Sequence, residues 1–216
     1  MNAPTIISCE QGSPEWYIAR SRIPTASQFS TVLAKGEGKT RRSYMLKLAG
    51  EIITGEPMEN YVSADMERGK VMEEEARDLY VLLSDDPVTR VGFAVNAAGT
   101  AGCSPDSLVG DKGMLEIKTQ RADLLIGTIL AGKFPSEHVA QCQGSLWVLE
   151  REWCDLFVYW PKVKPFVKRI YRDEPYIINL AIEVGRFNEE LAELVEAYRG
   201  YGTAPSLKDA LVASLA

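Results

Sequence analysis

Histidine is nearly missing from this sequence: His138 is the only one among 216 residues. That scarcity excludes His-rich metal hydrolases and leaves any Ser/His/Asp triad hanging on one side chain. The four cysteines, Cys9, Cys103, Cys142 and Cys154, are scattered with no C-x-x-C pair. This argues against a zinc site or a disulfide framework and for buried reduced thiols. Any metal would be held by carboxylates and carbonyls, which favours Mg²⁺ or Mn²⁺. Long apolar runs are lacking too: LLIGTILAG, Leu124 to Gly132, is too short to span a bilayer. The first residues, MNAPTIISCEQG, lack the basic region and apolar core of a secretory signal. The expectation is a cytoplasmic protein with no membrane association. Excess positive charge is absent as well, the formal net charge being −6, whereas nonspecific DNA binders usually carry a basic patch. Two stretches, KGEGKTRRSYMLK and PKVKPFVKRIYR, run against that acidic balance.

What is present is ordinary globular composition, 46% hydrophobic and 25% charged, in a chain long enough for one domain with a sizeable core. Thr25 and Gln28 have capping-box spacing and predict a short helix in PTASQFSTVLAKG. Further helices are expected over RRSYMLKLAGEIIT and from about Asp65 to Ser84. RVGFAVN, TAGCSPDSLVG and MLEIKT read as three strands joined by turns. Ser136 is placed to cap a helix through HVAQCQGSLWVLE. CDLFVYW and PFVKRIYR read as strands, and a long helix runs from about Pro175 to Arg199. The order predicts a single α/β domain over residues 1–216, a central mixed sheet flanked by helices, with roughly 203–216 as a loosely attached tail.

One stretch carries chemistry: CSPDSLVGDKGMLEIK, Cys103 to Lys118. Strand residues two apart share a face, so Glu116 and Lys118 point one way while Leu115 and Ile117 point to a core. If the chain pairs back across the Gly110–Gly113 turn in even register, Asp106 lies opposite Glu116; odd register throws it to the wrong face. Converging carboxylates repel and invite a hard cation. A bound water could then be activated for attack on a phosphate, with Lys118 offsetting the developing charge. The plainer alternative is a solvated hairpin face. On the helix ERGKVMEEEARDLYVLL, Glu73 lies nearest the apolar face. It reads as a boundary glutamate or as a third carboxylate that needs a partner. Gln141 and Gln143 carry no role by themselves.

EQGSPEW, IPTAS, RGKVMEEEAR, CSPDSL, LEIK and AQCQGSLW, in that order, resemble the lambda-exonuclease family of phage recombination nucleases (YqaJ-type viral recombinases) within the PD-(D/E)xK superfamily. The resemblance implies metal ligation by Asp106, Glu116 and the carbonyl of Ile117, and places Lys118 as the catalytic lysine. Glu73 falls on the family's helix glutamate and Gln141 on the glutamine of its A-Q-x-Q block. The pocket for a terminal 5′-phosphate falls on Arg20 and Ser27, and Ser27 would also sit in the first turn of a helix, where free N–H groups attract anions. The family's loop arginine aligns near Glu37, so Lys39, Arg41 or Arg42 stands in for it. Met66 takes the place of an apolar wedge at the terminal base pair. The family further implies Mg²⁺-dependent digestion of linear double-stranded DNA from 5′-phosphorylated ends, leaving 3′ single strands. It implies a homotrimer ring around DNA and a single-strand annealing protein as partner. Two alternatives stand beside this: a restriction- or repair-type PD-(D/E)xK endonuclease, and a non-catalytic DNA-binding assembly subunit.

Overall fold

Strand register decides which face each acid occupies. The computed structural model describes residues 3–34, 39–58 and 64–201, with the backbone alone for 64–70; the tail at 203–216 and Glu37 lie outside. The strands are β1 (Thr5–Ile7), β2 (Val88–Thr89), β3 (Phe93–Val95), β4 (Gly102–Cys103), β5 (Ser107–Val109), β6 (Gly113–Thr119), β7 (Trp153–Tyr159) and β8 (Phe166–Tyr171). The helices are α1 (Pro14–Arg20), α2 (Phe29–Val32), α3 (Lys39–Thr54), α4 (Ala64–Leu83), α5 (Ala122–Ala131), α6 (Val139–Leu149) and α7 (Glu174–Arg199). A mixed five-stranded sheet runs β2-β5-β6-β7-β8, and a small sheet runs β1-β3-β4. Within the five-stranded sheet, β6 and β7 pair in parallel, across the connection through α5 and α6. The result is the expected α/β domain, with helices on both faces of a mixed sheet.

β6 is buried on both faces, which is what a central strand of alternating Leu, Glu, Ile and Lys must reconcile. Leu115 and Ile117 pack with Ala76 and Tyr80 of α4 and with Phe157 of β7. Met114 joins the larger core with Ala140, Cys142 and Leu146 of α6 and with α3 and α7. Glu116 is only 3% exposed, which rules out the solvated hairpin face. α4 is held in place at its far end: the Tyr80 hydroxyl donates to Asp155 at 2.7 Å, and Arg169 donates twice to the same carboxylate at 2.8 Å. Glu73 lies seven residues, about two turns, before that anchor. On the other side, a Cβ at Gly144 would come within 2.2 Å of the Phe29 ring. Glycine there lets α6 sit close to α2, and so sets the position of Gln141 in the preceding turn.

Several local expectations are corrected. TAGCSPDSLVG is not one strand: β4 pairs with β3 in the small sheet and β5 with β6 in the large one. The chain changes sheet at Ser104-Pro105-Asp106, where proline has no N–H for a ladder. The three-residue β1 and two-residue β2 were not expected, being too short to show alternation. Thr25 makes no side-chain cap; its hydroxyl meets that of Ser27 at 3.4 Å, and a 3₁₀ turn, Ala26–Gln28, precedes the four-residue α2. Ser136 likewise opens a 3₁₀ turn rather than capping a helix, since Pro135 sits at the cap position. LLIGTILAG is helical, closed by Gly132 at φ 63°. Among the described residues no helix is long and apolar enough to cross a membrane. All four cysteines are free, three of them buried and Cys9 partly exposed.

Candidate active site

The hairpin turn at Gly110, whose φ of 51° suits glycine, returns the chain in the even register. Ser107 pairs with Leu115 and Val109 with Gly113, so the next residue outward, Asp106, stands across from Glu116. The Asp106 N–H donates to the Leu115 carbonyl at 3.1 Å. Its carboxylate turns back and accepts from the Ile117 N–H at 2.5 Å. One oxygen of Glu116, Oε1, accepts from Lys118 Nζ at 2.8 Å and from Gln141 Nε2 at 2.5 Å. The other, Oε2, is buried with no hydrogen-bond partner.

Electrostatics follow from that crowding. Burial, then the Glu116 charge, hold the Asp106 carboxyl well above its ordinary 3.8; Glu73 adds to the effect, against the Ile117 N–H and Lys118. Burial works against the Lys118 ammonium, yet Glu116 and then Asp106 hold it above its ordinary 10.5. A carboxyl shifted upward contributes most below its unfolded pKa, and that contribution is lost as pH rises through the folded value. Without a cation, Asp106 therefore weakens the fold as it ionises.

A buried carboxylate oxygen with no donor carries an unmet desolvation cost. A hard cation held by Asp106 and Glu116 would remove it, and an all-oxygen donor set suits Mg²⁺ or Mn²⁺. Among the described residues no three acid, imidazole or thiol side chains stand together as a ready cage. Mg²⁺ characteristically keeps several waters and needs none. Glu73 shares a groove with Asp106, and its charge, like that of Glu116, acts on the Asp106 carboxyl. Gln141, which spacing alone left without a role and the family resemblance matched to its A-Q-x-Q glutamine, reaches Glu116. Gln143 does not: it is buried and ties the Tyr171 carbonyl and the Asp173 N–H. His138 stands near Lys118 and Glu116, its basicity lowered by burial and then by the Lys118 charge. By sequence that residue served only to exclude His-rich metal hydrolases and to limit any Ser/His/Asp triad to a single histidine.

A second, smaller pocket is lined by Tyr17, Arg20, Thr25, Gln28, Tyr44, Lys47 and Glu51. The Arg20 guanidinium lies 4.2 Å over the Trp16 ring, whose N–H donates to Ser104 at 2.8 Å. Ser27 is exposed and does not line this pocket; it touches it only through the hydroxyl contact with Thr25, which does. The helix-terminus argument for Ser27 is corrected, because a three-residue 3₁₀ turn and a four-residue helix align few peptide dipoles. Of the basic residues offered in place of the loop arginine, Arg41 is engaged elsewhere: it donates twice to Glu190 of α7, at 2.6 and 2.9 Å. Arg42 approaches Met45 sulfur, and Lys39 is exposed at the start of α3. Lys47, which sequence spacing did not single out, is in the pocket and lies 3.8 Å from buried Glu51. Met66 has its backbone in α4, and its side chain lies outside the described residues.

No curated protein matches the sequence. Residues 15–152 match the YqaJ-like viral recombinase domain. Among solved structures, the alkaline exonuclease LHK-Exo from Laribacter hongkongensis is 33% identical, with a TM-score of 0.79 over 87% of this chain and 96% of that one. LHK-Exo in complex with dAMP gives 33% identity and a TM-score of 0.81 over 89% and 98%. A phage related exonuclease from Haemophilus somnus 129PT, 12% identical over 82% and 96% with a TM-score of 0.62, shares the fold.

Proposed function

Because the chain belongs to the YqaJ-like viral recombinase family, we propose that it is a Mg²⁺-dependent exonuclease degrading one strand of linear double-stranded DNA from 5′-phosphorylated ends. The product would be a 3′ single strand for recombination by annealing. The observation that carries this is the Asp106–Glu116 pair: Lys118 and Gln141 both donate to Oε1 of Glu116, and its other oxygen, Oε2, is buried without a partner.

Asp106, Glu116 and the Ile117 carbonyl would hold Mg²⁺, with Glu73 beside Asp106 and Mn²⁺ able to substitute. When bound, the cation lowers the pKa of water and stabilises charge on phosphate. Gln141 and Lys118 both hold Oε1 of Glu116, so Oε2 would be the oxygen free to meet a cation. Lys118, held cationic beside Glu116, offsets negative charge as it grows on the scissile phosphate. Arg20, Lys47 and Ser27 would take the terminal phosphate, guanidinium and ammonium supplying the charge. An internal cutter needs no such clamp, which favours the exonuclease over the endonuclease reading. The crowded acids disfavour a non-catalytic subunit, since they cost stability without a cation. Incubation of linear and closed circular duplexes with Mg²⁺ tests it: only the linear DNA should disappear. Loss of both forms supports an endonuclease, and loss of neither a non-catalytic subunit.

End recognition has its own expected result. A 5′-phosphorylated duplex should be degraded faster than a 5′-hydroxyl one, and the product should keep 3′ overhangs. Ser27→Ala should lose part of the preference and Arg20→Ala more, because guanidinium–phosphate pairing can be bidentate. Equal initial rates on both ends, or 5′ overhangs, would refute this.

The assembly we propose rests on the resemblance to the family alone. A homotrimer ring would gather basic residues on its bore and reconcile the net charge of −6 with DNA as substrate. Light scattering should report three copies; a fully active monomer would remove the ring. A single-strand annealing protein is the partner proposed for the 3′ strand, in the cytoplasm of a bacterial host. Failure of this protein to retain a purified single-strand annealing protein in a pull-down would count against that partner.

A further inference from the structure

The groove beside Asp106 holds a second constellation that the proposed reaction does not use. It encloses about 540 Å³ and runs from Trp16 and Tyr17 past Glu73 to Glu74, Arg77 and Arg90. Arg77 follows Glu73 by one turn of α4. Its side chain is 11% exposed, its Nε is buried without a partner, and its Nη1 lies 3.2 Å from Glu74 Oε1. Arg90, just after β2, donates to the other oxygen of Glu74. One carboxylate is therefore gripped by two guanidinium groups, one from a helix and one from a loop, in the groove that Asp106 also lines.

Three features point to an anion other than Glu74. A buried guanidinium N–H without an acceptor is a donor left over. Glu74 and Arg90 are 52% and 60% exposed, and ion pairs that open to water contribute little, so the carboxylate is easily displaced. Two guanidinium forks match the several oxygens of a phosphate better than the two of one carboxylate. The volume exceeds what a phosphate alone needs and accommodates a nucleotide.

We propose that Arg77 and Arg90 form a second subsite for a nucleotide phosphate, and that Glu74 occupies it in the DNA-free protein. The inference rests on the nuclease reading. The phosphate would belong either to the DNA strand beside the scissile bond or to the released mononucleotide, whose chemistry at this point is the same. Glu74 then acts as a gate that competes with substrate or product.

The test uses the full chain with Glu74→Gln and Arg90→Ala, each checked for folding by its thermal melt. One arm measures binding of a 5′-phosphorylated linear duplex with Ca²⁺ replacing Mg²⁺; the other measures inhibition of degradation by dAMP. Glu74→Gln should tighten at least one of these by about 2- to 5-fold, the scale of one exposed ion pair. Arg90→Ala should weaken the same one and, for DNA, lower the salt slope by about one. The arm that responds identifies the source of the phosphate. A folded Glu74→Gln protein that leaves both unchanged, or weakens them, overturns the proposal, because a structural ion pair predicts only that. Wild-type degradation of linear DNA is followed in parallel. If it proceeds while the variants behave as wild type, the subsite falls and the nuclease reading stands. If wild type neither binds nor degrades DNA, both fall.

Discussion

Lys118→Ala should slow cleavage by on the order of 10²-fold or more in single turnovers at saturating enzyme, with Mg²⁺ binding nearly intact. The reason is where the ammonium sits. Nζ is 2.8 Å from Glu116 Oε1, and the lysine side chain is 30% exposed against 4% for the glutamate. It thus joins a buried acid to the open site. Against the cost of burial, Glu116 and then Asp106 hold it above its ordinary 10.5. In the metal-free protein it is charged at neutral pH and cannot serve there as a base. Its work must appear when negative charge grows on phosphate, so the loss should fall on the chemical step, with DNA binding only modestly weaker. Lys118→Arg keeps the charge but not the compact ammonium, and should recover only part of the rate. If Lys118 were a mere strand-end charge, stability would change by about 0.5 kcal/mol or less and the rate hardly at all.

Asp106→Asn should abolish cleavage and yet raise the melting temperature of the metal-free protein. Burial and the Glu116 charge push the Asp106 carboxyl upward, so in the absence of a cation its ionisation costs stability through that raised range. Asparagine removes the charge, while its carbonyl oxygen can still accept from the Ile117 N–H. The gain should be about 0.5–2 kcal/mol, the usual scale when a site strained for activity is relaxed. For a chain of this size that is roughly 2–4 °C per kcal/mol. Mg²⁺ at about 100 times its Kd should stabilise wild type by about 2.7 kcal/mol and should do far less for Asp106→Asn. Melts with EDTA and with Mg²⁺ check both halves. A variant less stable than wild type in EDTA would contradict the electrostatic account.

The legible part of this chain was the part governed by strong periodicity. α4, α7, β6 and β7 carry unbroken patterns. The alternation of Leu115, Glu116, Ile117 and Lys118 was enough to place Glu116 and Lys118 on one face; the even register was a condition of the metal reading, which the sheet meets. What stayed hidden depended on contacts between distant segments. The split of the segment around Pro105 is set by β3 and β6 competing for its two halves. Gln141 reaches Glu116 only because Gly144 brings α6 against Phe29. Lys47 enters the Arg20 pocket from a different helix, and Arg41 is drawn away by Glu190 on α7, 149 residues later. No local spacing encodes these meetings. The caps expected at Thr25 and Ser136 failed for a related reason: a tight 3₁₀ turn precedes each helix and removes the geometry a side-chain cap needs.

Calorimetric titration of Mg²⁺ and Mn²⁺ into wild type and into Asp106→Ala, Glu116→Ala addresses the central claim most directly. It measures the cation site without relying on cleavage. Wild type should bind, with affinity rising with pH as Asp106 ionises above its ordinary 3.8, and the double variant should lose that binding. A double variant that is folded and binds either cation as wild type does would contradict the assignment of the metal to Asp106 and Glu116.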